Sequence, residues 1–201
     1  MSKLFCIMGK SASGKDTIFK HLIQDEILNL KTVISYTTRP MREGEQDGVE
    51  YHFVTEKKLD ELKKAGKVIE CRDYHTIHGI WSYFTVDDGQ IDFSGDQDSI
   101  IIGTLESYAQ IRLFFGKENV VPIYVHVEDG ERLTRALNRE KQQDHPKYLE
   151  MCRRFLADAE DFSEDQLKLC EVDRMYENIN MENCLKEICK DILEFRNRDV
   201  S

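Results

Sequence analysis

The chain has 201 residues, a formal net charge of −10 and a pI near 5.1. This length suits one α/β domain with a proper core. The acidic balance argues against nucleic acid or an anionic membrane as a partner, since both attract surplus Lys and Arg. No apolar run is long enough for a signal peptide or a membrane span, so we expect a cytoplasmic protein. Six dispersed cysteines without a CxxC pair predict neither a zinc site nor disulfides.

A glycine-bearing loop follows the first apolar run, 4–8, and precedes a helical pattern over 18–28. Its residues, spaced as GxxxxGK, are Gly9, Lys10, Ser11, Ala12, Ser13, Gly14, Lys15, Asp16 and Thr17. Glycines allow consecutive backbone N–H groups to converge on one phosphate, and the helix N-terminus adds partial positive charge. Lys15 can reach the outer phosphates. The loop therefore predicts a binding site for the phosphates of ATP.

Asp16 occupies the position where this motif usually has Ser or Thr, whose hydroxyl holds Mg²⁺. One interpretation is a first-turn carboxylate favoured by the helix dipole. The other is a role near the metal, since carboxylate oxygens bind Mg²⁺ directly or through water. The sequence leaves both open.

The remaining elements follow from hydrophobic period and turn residues. After a strand at 31–36 and a polar surface loop at 37–48, we predict a short strand at 51–54. A helix follows, capped by Thr55 and ending near Gly66, with strands at 68–74 and 81–85. Later elements are strands at 99–103, 120–127 and 175–177, and helices at 105–113, 131–142, 146–162 and 181–195.

The polar segment around residues 35–54 has a sequence pattern that is specific to one protein family. It contains Ser35, Thr37-Thr38-Arg39, Arg42, Gly44-Glu45, Gly48 and Tyr51-His52-Phe53-Val54, and it resembles the GMP-binding segment of guanylate kinases. The likeness continues through Glu70, Arg135, Arg139, Arg154 and Asn178. It implies an α/β P-loop nucleoside monophosphate kinase fold with three layers and a parallel core sheet. It further implies one domain over 1–201, with core 1–34, 91–134 and 156–201, a β-rich insert at 35–90 that binds the monophosphate, and a helical lid at 135–155.

The resemblance also implies a reaction, the transfer of the γ-phosphoryl of ATP to GMP or dGMP with Mg²⁺ as cofactor. Two polyanions must meet in such a site, so cations are needed from several segments. The implied catalytic residues are Lys15, Arg39, Arg135, Arg139 and Arg154. The implied GMP-binding residues are Ser35, Arg39, Arg42, Tyr51, Glu70, Tyr83 and Thr85, with Asn178 assigned to the ATP side. Glu70 can accept hydrogen bonds from guanine N1–H and its 2-amino group, neither of which adenine has.

Simpler interpretations stand beside these. Arg39 and Arg42 could be solvated loop charges, and Glu70 could be an exposed strand residue. Arg135 and Arg139 could form intrahelical pairs with Glu131. His75 and His78 suit surface or packing roles better than a metal site.

The sequence also departs from the family pattern. An Asp-Ile-Asp-like motif is expected after the central strand, where this chain has Gly103, Thr104 and Glu106. We hypothesise that Asp16 replaces those acids near Mg²⁺. The segment at 83–85 is matched to the family only across an insertion that includes 75–79.

Two other functions stay open: a kinase of another phosphorylated metabolite, and a non-catalytic guanylate-kinase-like module that binds protein partners. Acceptor preference after Glu70→Gln tests the first, and loss of ATP binding would favour the second.

Overall fold

The computed structural model describes residues 2–76 and 79–198, with the backbone alone at 76, 197 and 198. His78 and part of the predicted insertion at 75–79 therefore lie outside the described residues. Among the described residues, no helix has both the length and the apolar character needed to cross a bilayer.

The chain alternates strands and helices from its first element. In chain order these are β1 (Leu4–Met8), α1 (Lys15–Gln24), β2 (Lys31–Thr32), β3 (Tyr36–Thr37), β4 (His52–Phe53), α2 (Glu56–Lys64), β5 (Val68–Thr76), β6 (Gly79–Val86), β7 (Ser99–Ile102), α3 (Leu105–Phe115), β8 (Val120–His126), α4 (Asp129–Lys141), α5 (Tyr148–Asp161), α6 (Glu164–Leu169), β9 (Met175–Glu177) and α7 (Met181–Arg198).

The core is a five-stranded parallel sheet in the order β2-β7-β1-β8-β9. All of β1 is buried, as its continuous apolar run requires when both faces of a sheet are covered. Side chains alternate between the two faces. Phe5 and Ile7 join a cluster with residues of α1 and α7, whereas Leu4 and Cys6 join one with residues of α3 and α6. The helices thus form one layer on each side of the sheet, as the predicted three-layer α/β fold requires.

A second sheet, in the order β4-β3-β6-β5, is built around the antiparallel pair β5 and β6. Helix α2 packs on one face of this sheet, where its Leu59 forms a buried cluster with Phe84 and Val86 of β6. An irregularity between Val68 and Glu70 shifts the register. The opposite face carries three cross-strand pairs, which are Glu70–Thr85, Arg72–Tyr83 and Tyr74–Trp81. This face provides one wall of the functional site described below.

Several predicted boundaries were wrong. The strand predicted at 31–36 is two short strands in different sheets, because the side chain of Gln90 takes over hydrogen bonding between them: its Oε1 accepts from Ile34 N (2.9 Å) and its Nε2 donates to Ile34 O (3.2 Å). The first helix ends at Gln24, where the Asp25 carboxylate accepts from the next free N–H groups. The helix predicted at 146–162 begins at Tyr148. The six-residue α6 was not predicted.

Candidate active site

Two glycines shape the loop between β1 and α1. A Cβ at Gly9 would lie 2.5 Å from the carbonyl oxygen of Val125, so only glycine allows this approach to β8. Gly14 has a φ of 85°, and a Cβ there would lie 2.5 Å from Nδ2 of Asn178. The Asn178 amide donates to the carbonyl of Ser13 at 2.8 Å, which fixes the loop from behind. The loop geometry therefore requires both glycines of the predicted motif.

The start of α1 is open to a ligand. Its N-cap is Gly14 in a left-handed conformation, and no side chain caps it within the chain as described. By contrast, Thr104 caps α3 and Glu128 caps α4. The first N–H groups of a helix need acceptors, and an anion can supply them. The α1 terminus can therefore receive a phosphate.

Lys15 and Asp16 face a cavity at this terminus, whereas Lys10 does not line it. The Lys15 ammonium lies 3.6 Å from the Asp16 carboxylate, whose side chain is 76% exposed. Lys10 lies 3.3 Å from Asp129 and is mostly buried. Of the two loop lysines, Lys15 is thus the one positioned to meet a ligand.

The cavity has a volume of about 510 Å³ and lies between the core sheet, the second sheet and α5. It is lined by Lys15, Asp16, Ser35, Arg42, Tyr51, Arg72, Tyr74, Trp81, Tyr83, Ile102, Gly103, Thr104, Glu150, Arg153 and Arg154. Five of these carry positive charge and two carry negative charge, in a chain whose net charge is −10. The structure thus concentrates cations where the protein as a whole is acidic.

Four predicted acceptor residues, Ser35, Arg42, Tyr51 and Tyr83, line the cavity together. Burial and the neighbouring Tyr83 raise the pKa of Tyr51, so its hydroxyl stays protonated and able to donate.

Arg39 lies behind this wall instead of on it. Its guanidinium binds Glu45 through two hydrogen bonds of 2.8 and 2.9 Å, and its Nε donates to the Tyr83 hydroxyl at 3.0 Å. It is neither the solvated loop charge considered above nor, in this arrangement, a direct phosphate ligand.

Glu70 and Thr85 are also set back from the cavity. Both are buried, and Thr85 Oγ1 donates to Glu70 Oε1 at 2.8 Å. Arg72 Nε donates to the other carboxylate oxygen at 2.9 Å. The exposed-strand interpretation of Glu70 is therefore wrong. The carboxylate contacts Arg72, a residue that sequence reasoning missed, although strand alternation places both on one face.

Helix α5 contributes two of the cations that line the cavity. Arg154 lines the cavity, and its Nε is buried without a hydrogen-bond partner in the described part of the chain. Its closest carboxylates, Glu150 and Glu140, lie 3.7 and 3.8 Å away. Arg153 also lines the cavity but is bound to Glu150 at 2.7 and 2.8 Å. Because a buried donor without an acceptor is unfavourable, the Arg154 Nε is suited to an incoming anion.

The other predicted cations differ. Arg139 is exposed and shares a small cavity with Arg154 and Ser11 of the loop. Arg135 lies outside both cavities. It donates to Glu131 at 2.8 Å and to the carbonyl of Asn178 at 3.0 Å, so the intrahelical pair considered for it is present.

Sequence reasoning also missed a buried network that positions α5. Arg132 is 1% exposed and donates to Asp129, to the Ser11 carbonyl and to Asp158. The Asp158 carboxylate in turn accepts from the Ser11 N–H at 2.7 Å. Asp158 lies one helical turn after Arg154, so this network holds the Arg154 turn beside the loop. The helical spacing of these charged residues can be read from the sequence, but the burial of Arg132 cannot.

The segment after β7 has a different chemistry from the family motif. Thr104 accepts at Oγ1 from the Ser107 N–H (3.2 Å) and from Arg72 Nη1 (3.1 Å). A Cβ at Gly103 would lie 2.5 Å from the Ser107 hydroxyl. A helix cap therefore occupies the place where acids were expected.

Comparison with known proteins identifies relatives of this chain. The guanylate kinase family model matches residues 1–195. A guanylate kinase of Methylobacillus flagellatus is 28% identical over 185 residues, which cover 92% of this chain and 85% of that protein. One of Nitrosomonas europaea is 29% identical over 167 residues, covering 81% and 77%.

A solved guanylate kinase structure from Anaplasma phagocytophilum aligns with a TM-score of 0.67 at 16% identity, covering 97% of this chain and 86% of that one. The predicted α/β fold and the ATP-dependent phosphotransferase class are confirmed. The chain belongs to the guanylate kinase family.

Proposed function

We infer that this protein transfers the γ-phosphoryl group of ATP to GMP, giving ADP and GDP. One observation carries the proposal. A single cavity is lined by Lys15 from the phosphate loop, by Arg42 and Tyr51 from the segment that resembles the acceptor site, and by Arg154 from α5. A donor phosphate and an acceptor phosphate can therefore meet in one place.

The donor side holds the ATP phosphates. The open N–H groups at the start of α1 donate hydrogen bonds to the inner phosphates, and Lys15 contacts the outer ones. Asn178 supports the ATP side by positioning the loop through the Ser13 carbonyl. Lys10 supports the loop through Asp129.

The acceptor side holds the monophosphate. Arg42 and the hydroxyl groups of Ser35, Tyr51 and Tyr83 supply donors toward its phosphate. Arg39 acts on the acceptor phosphate indirectly. Its Nε donates to the Tyr83 hydroxyl, and its terminal guanidinium nitrogens bind Glu45. Glu70 and Thr85 form the back of the end that receives the base.

Phosphoryl transfer needs positioning and charge stabilisation more than covalent chemistry, so no nucleophilic residue is required. Arg154 stabilises the charge on the γ-phosphoryl as it moves, and Arg139 joins it from the adjoining small cavity. Arg135 contributes through α4 and the Asn178 backbone. Closure of the insert, 35–90, and the lid, 135–155, excludes water during transfer.

The residues present fit Mg²⁺ that arrives with ATP. No cluster of three or more His, Cys, Asp or Glu that could hold a metal occurs in the ranges 2–76 and 79–198. Mg²⁺ is commonly held by one or two carboxylates together with substrate phosphates. The exposed Asp16 carboxylate, at the cavity, provides one such oxygen donor. When bound, the ion neutralises charge on the ATP phosphates.

The test is an assay of ADP release with ATP and a panel of nucleoside monophosphates. The proposal predicts release that depends on GMP, with one GDP formed for each ADP. Release with only another phosphorylated metabolite would contradict the choice of acceptor. Absence of ATP binding in calorimetry would contradict the enzyme itself and favour a protein-binding module.

A further inference from the structure

Arg72 is the one cavity-lining arginine on the wall formed by β5 and β6. It lies two residues after Glu70, so strand alternation directs both side chains to the same face. The Arg72 side chain is 11% exposed, whereas that of Glu70 is 0% exposed and does not line the cavity. A ligand in the cavity therefore meets the guanidinium before it meets the carboxylate.

The Glu70 carboxylate is largely committed to other groups. Its Oε2 accepts from Arg72 Nε at 2.9 Å, and its Oε1 accepts from Thr85 Oγ1 at 2.8 Å and from Arg72 Nη2 at 3.4 Å. A carboxylate has about four lone-pair positions, so three are in use. Guanine would need two more, for N1–H and for its 2-amino group. Both cannot be accepted while these bonds remain.

Arg72 is anchored at two points. Besides Glu70, its Nη1 donates at 3.1 Å to Thr104 Oγ1, which belongs to the core side of the cavity. A guanidinium offers only donors, so its complement on a base is a carbonyl oxygen or a ring nitrogen. Guanine presents the O6 carbonyl on this edge. Adenine presents the N6 amino group at the same position, which would set donors against donors.

We propose that Arg72 reads the carbonyl edge of the acceptor base and that the site takes 6-oxopurine nucleoside monophosphates as a class. Glu70 is then a positioning residue that holds the guanidinium. This inference rests on the proposed function and deepens it. Guanine and hypoxanthine share O6, whereas only guanine has the 2-amino group. Glu70 does not have two free lone-pair positions with which to select for that group.

The test compares kcat/KM for GMP, IMP and AMP by ADP release. The wild-type protein should prefer GMP over IMP by less than about 30-fold, well below the roughly 10⁴-fold rejection of a site with groups dedicated to the missing donor. AMP should be the poorest acceptor. Arg72→Met removes the contact to O6 and releases Glu70, so the GMP preference over IMP should grow by about tenfold or more.

Arg153→Met is the matched control, because Arg153 also lines the cavity and is paired with a glutamate but lies on α5. This variant should leave the ratio of kcat/KM for GMP to kcat/KM for IMP unchanged.

A wild-type preference above about 30-fold, or an unchanged ratio in a folded Arg72→Met protein, would overturn the proposal. The wild-type comparison decides it even if the variant does not fold. Failure of every acceptor would defeat the proposed function itself, whereas phosphorylation of GMP with rejection of IMP would defeat only the role of Arg72.

Discussion

The two ends of the cavity hold their cations differently. At the phosphate end, Lys15 has only an exposed aspartate at 3.6 Å, and the Arg154 Nε has no hydrogen-bond partner among the described residues. At the acceptor end, Arg72 on the wall and Arg39 behind it are bound to Glu70 and Glu45 at 2.9 and 2.8 Å.

This difference separates two uses of positive charge. A cation whose carboxylate neighbours lie beyond hydrogen-bond distance keeps donors free for an incoming anion, so such loosely paired cations mark the place where phosphates bind. A cation with a carboxylate partner instead fixes the shape of a wall. Substitutions at the phosphate end should therefore change turnover, and substitutions on the acceptor wall should change stability and base preference.

The largest effect is expected from Lys15→Met. It removes a charge that contacts the outer phosphates, so kcat/KM should fall by about 10³-fold. Lys10→Met, in the same loop, removes a lysine already paired with Asp129 and should cost less than about tenfold. ADP-release kinetics with GMP measure both. Equal losses would contradict the assignment of Lys15 to the ligand.

The arginines of the lid provide the next comparison. Arg154→Met should lower kcat by about 10²-fold, because its unpaired Nε serves the transferring group. Arg135→Met should lower it by less than about tenfold, since that side chain is bound to Glu131 and a backbone carbonyl. The reverse order of effects would show that the lid rearranges its pairs when nucleotides bind.

Behind the acceptor wall, Glu45→Gln should reduce the free energy of unfolding. The change leaves the buried Arg39 guanidinium without its charged partner, at a cost of about 2 kcal/mol, below the roughly 3–5 kcal/mol of a fully buried pair. Glu43→Gln, in the same loop and exposed, is the control and should have little effect. Urea unfolding at neutral pH measures the difference.

The stability difference between wild type and Glu45→Gln should also depend on pH. The hydrogen bond from Arg39 lowers the pKa of Glu45 in the folded state. The stabilising contribution is therefore complete above the unfolded pKa of about 4.3 and is lost as pH falls through the lower folded value. The stability gap between wild type and Glu45→Gln should narrow in acid. A gap that is constant from neutral to acidic pH would mean that the pair is not what stabilises the loop.

The smallest effect concerns the metal. Asp16→Ser removes a carboxylate that we place near Mg²⁺, so the Mg²⁺ concentration for half-maximal turnover should rise by about threefold to tenfold. If the Asp16→Ser protein turns over as fast as the wild type, or faster, at every Mg²⁺ concentration, the hypothesis that Asp16 replaces the missing acids is wrong. A titration of turnover against Mg²⁺ decides between them.

Much of the core was predictable because its signals are local. The apolar runs of β1 and β7 and the glycine spacing of the loop are each read within a few residues. The split of 31–36 was not predictable, since it depends on hydrogen bonds from Gln90, more than fifty residues away. The short α6 offered too few residues for a helical period.

The site was predictable in residue type more than in contact. Ser35, Arg42, Tyr51 and Arg154, which the resemblance assigned to the site, line one cavity, and their roles there stay predictions. Sequence alone could not show that Glu45 holds Arg39, or that Arg132 is buried between Asp129 and Asp158. Those pairings depend on which carboxylate the fold brings near. The spacing of Glu70 and Arg72 along one strand places both on the same face, so their contact was predictable from the sequence.

Calorimetry with one molecule that carries adenosine and guanosine joined by five phosphates tests most directly whether donor and acceptor meet in one cavity. Binding should be one to one, with a Kd about 100-fold or more below that of ATP, because linkage makes the second contact intramolecular. Affinity no better than that of ATP alone, or two molecules bound per chain, would contradict a shared cavity.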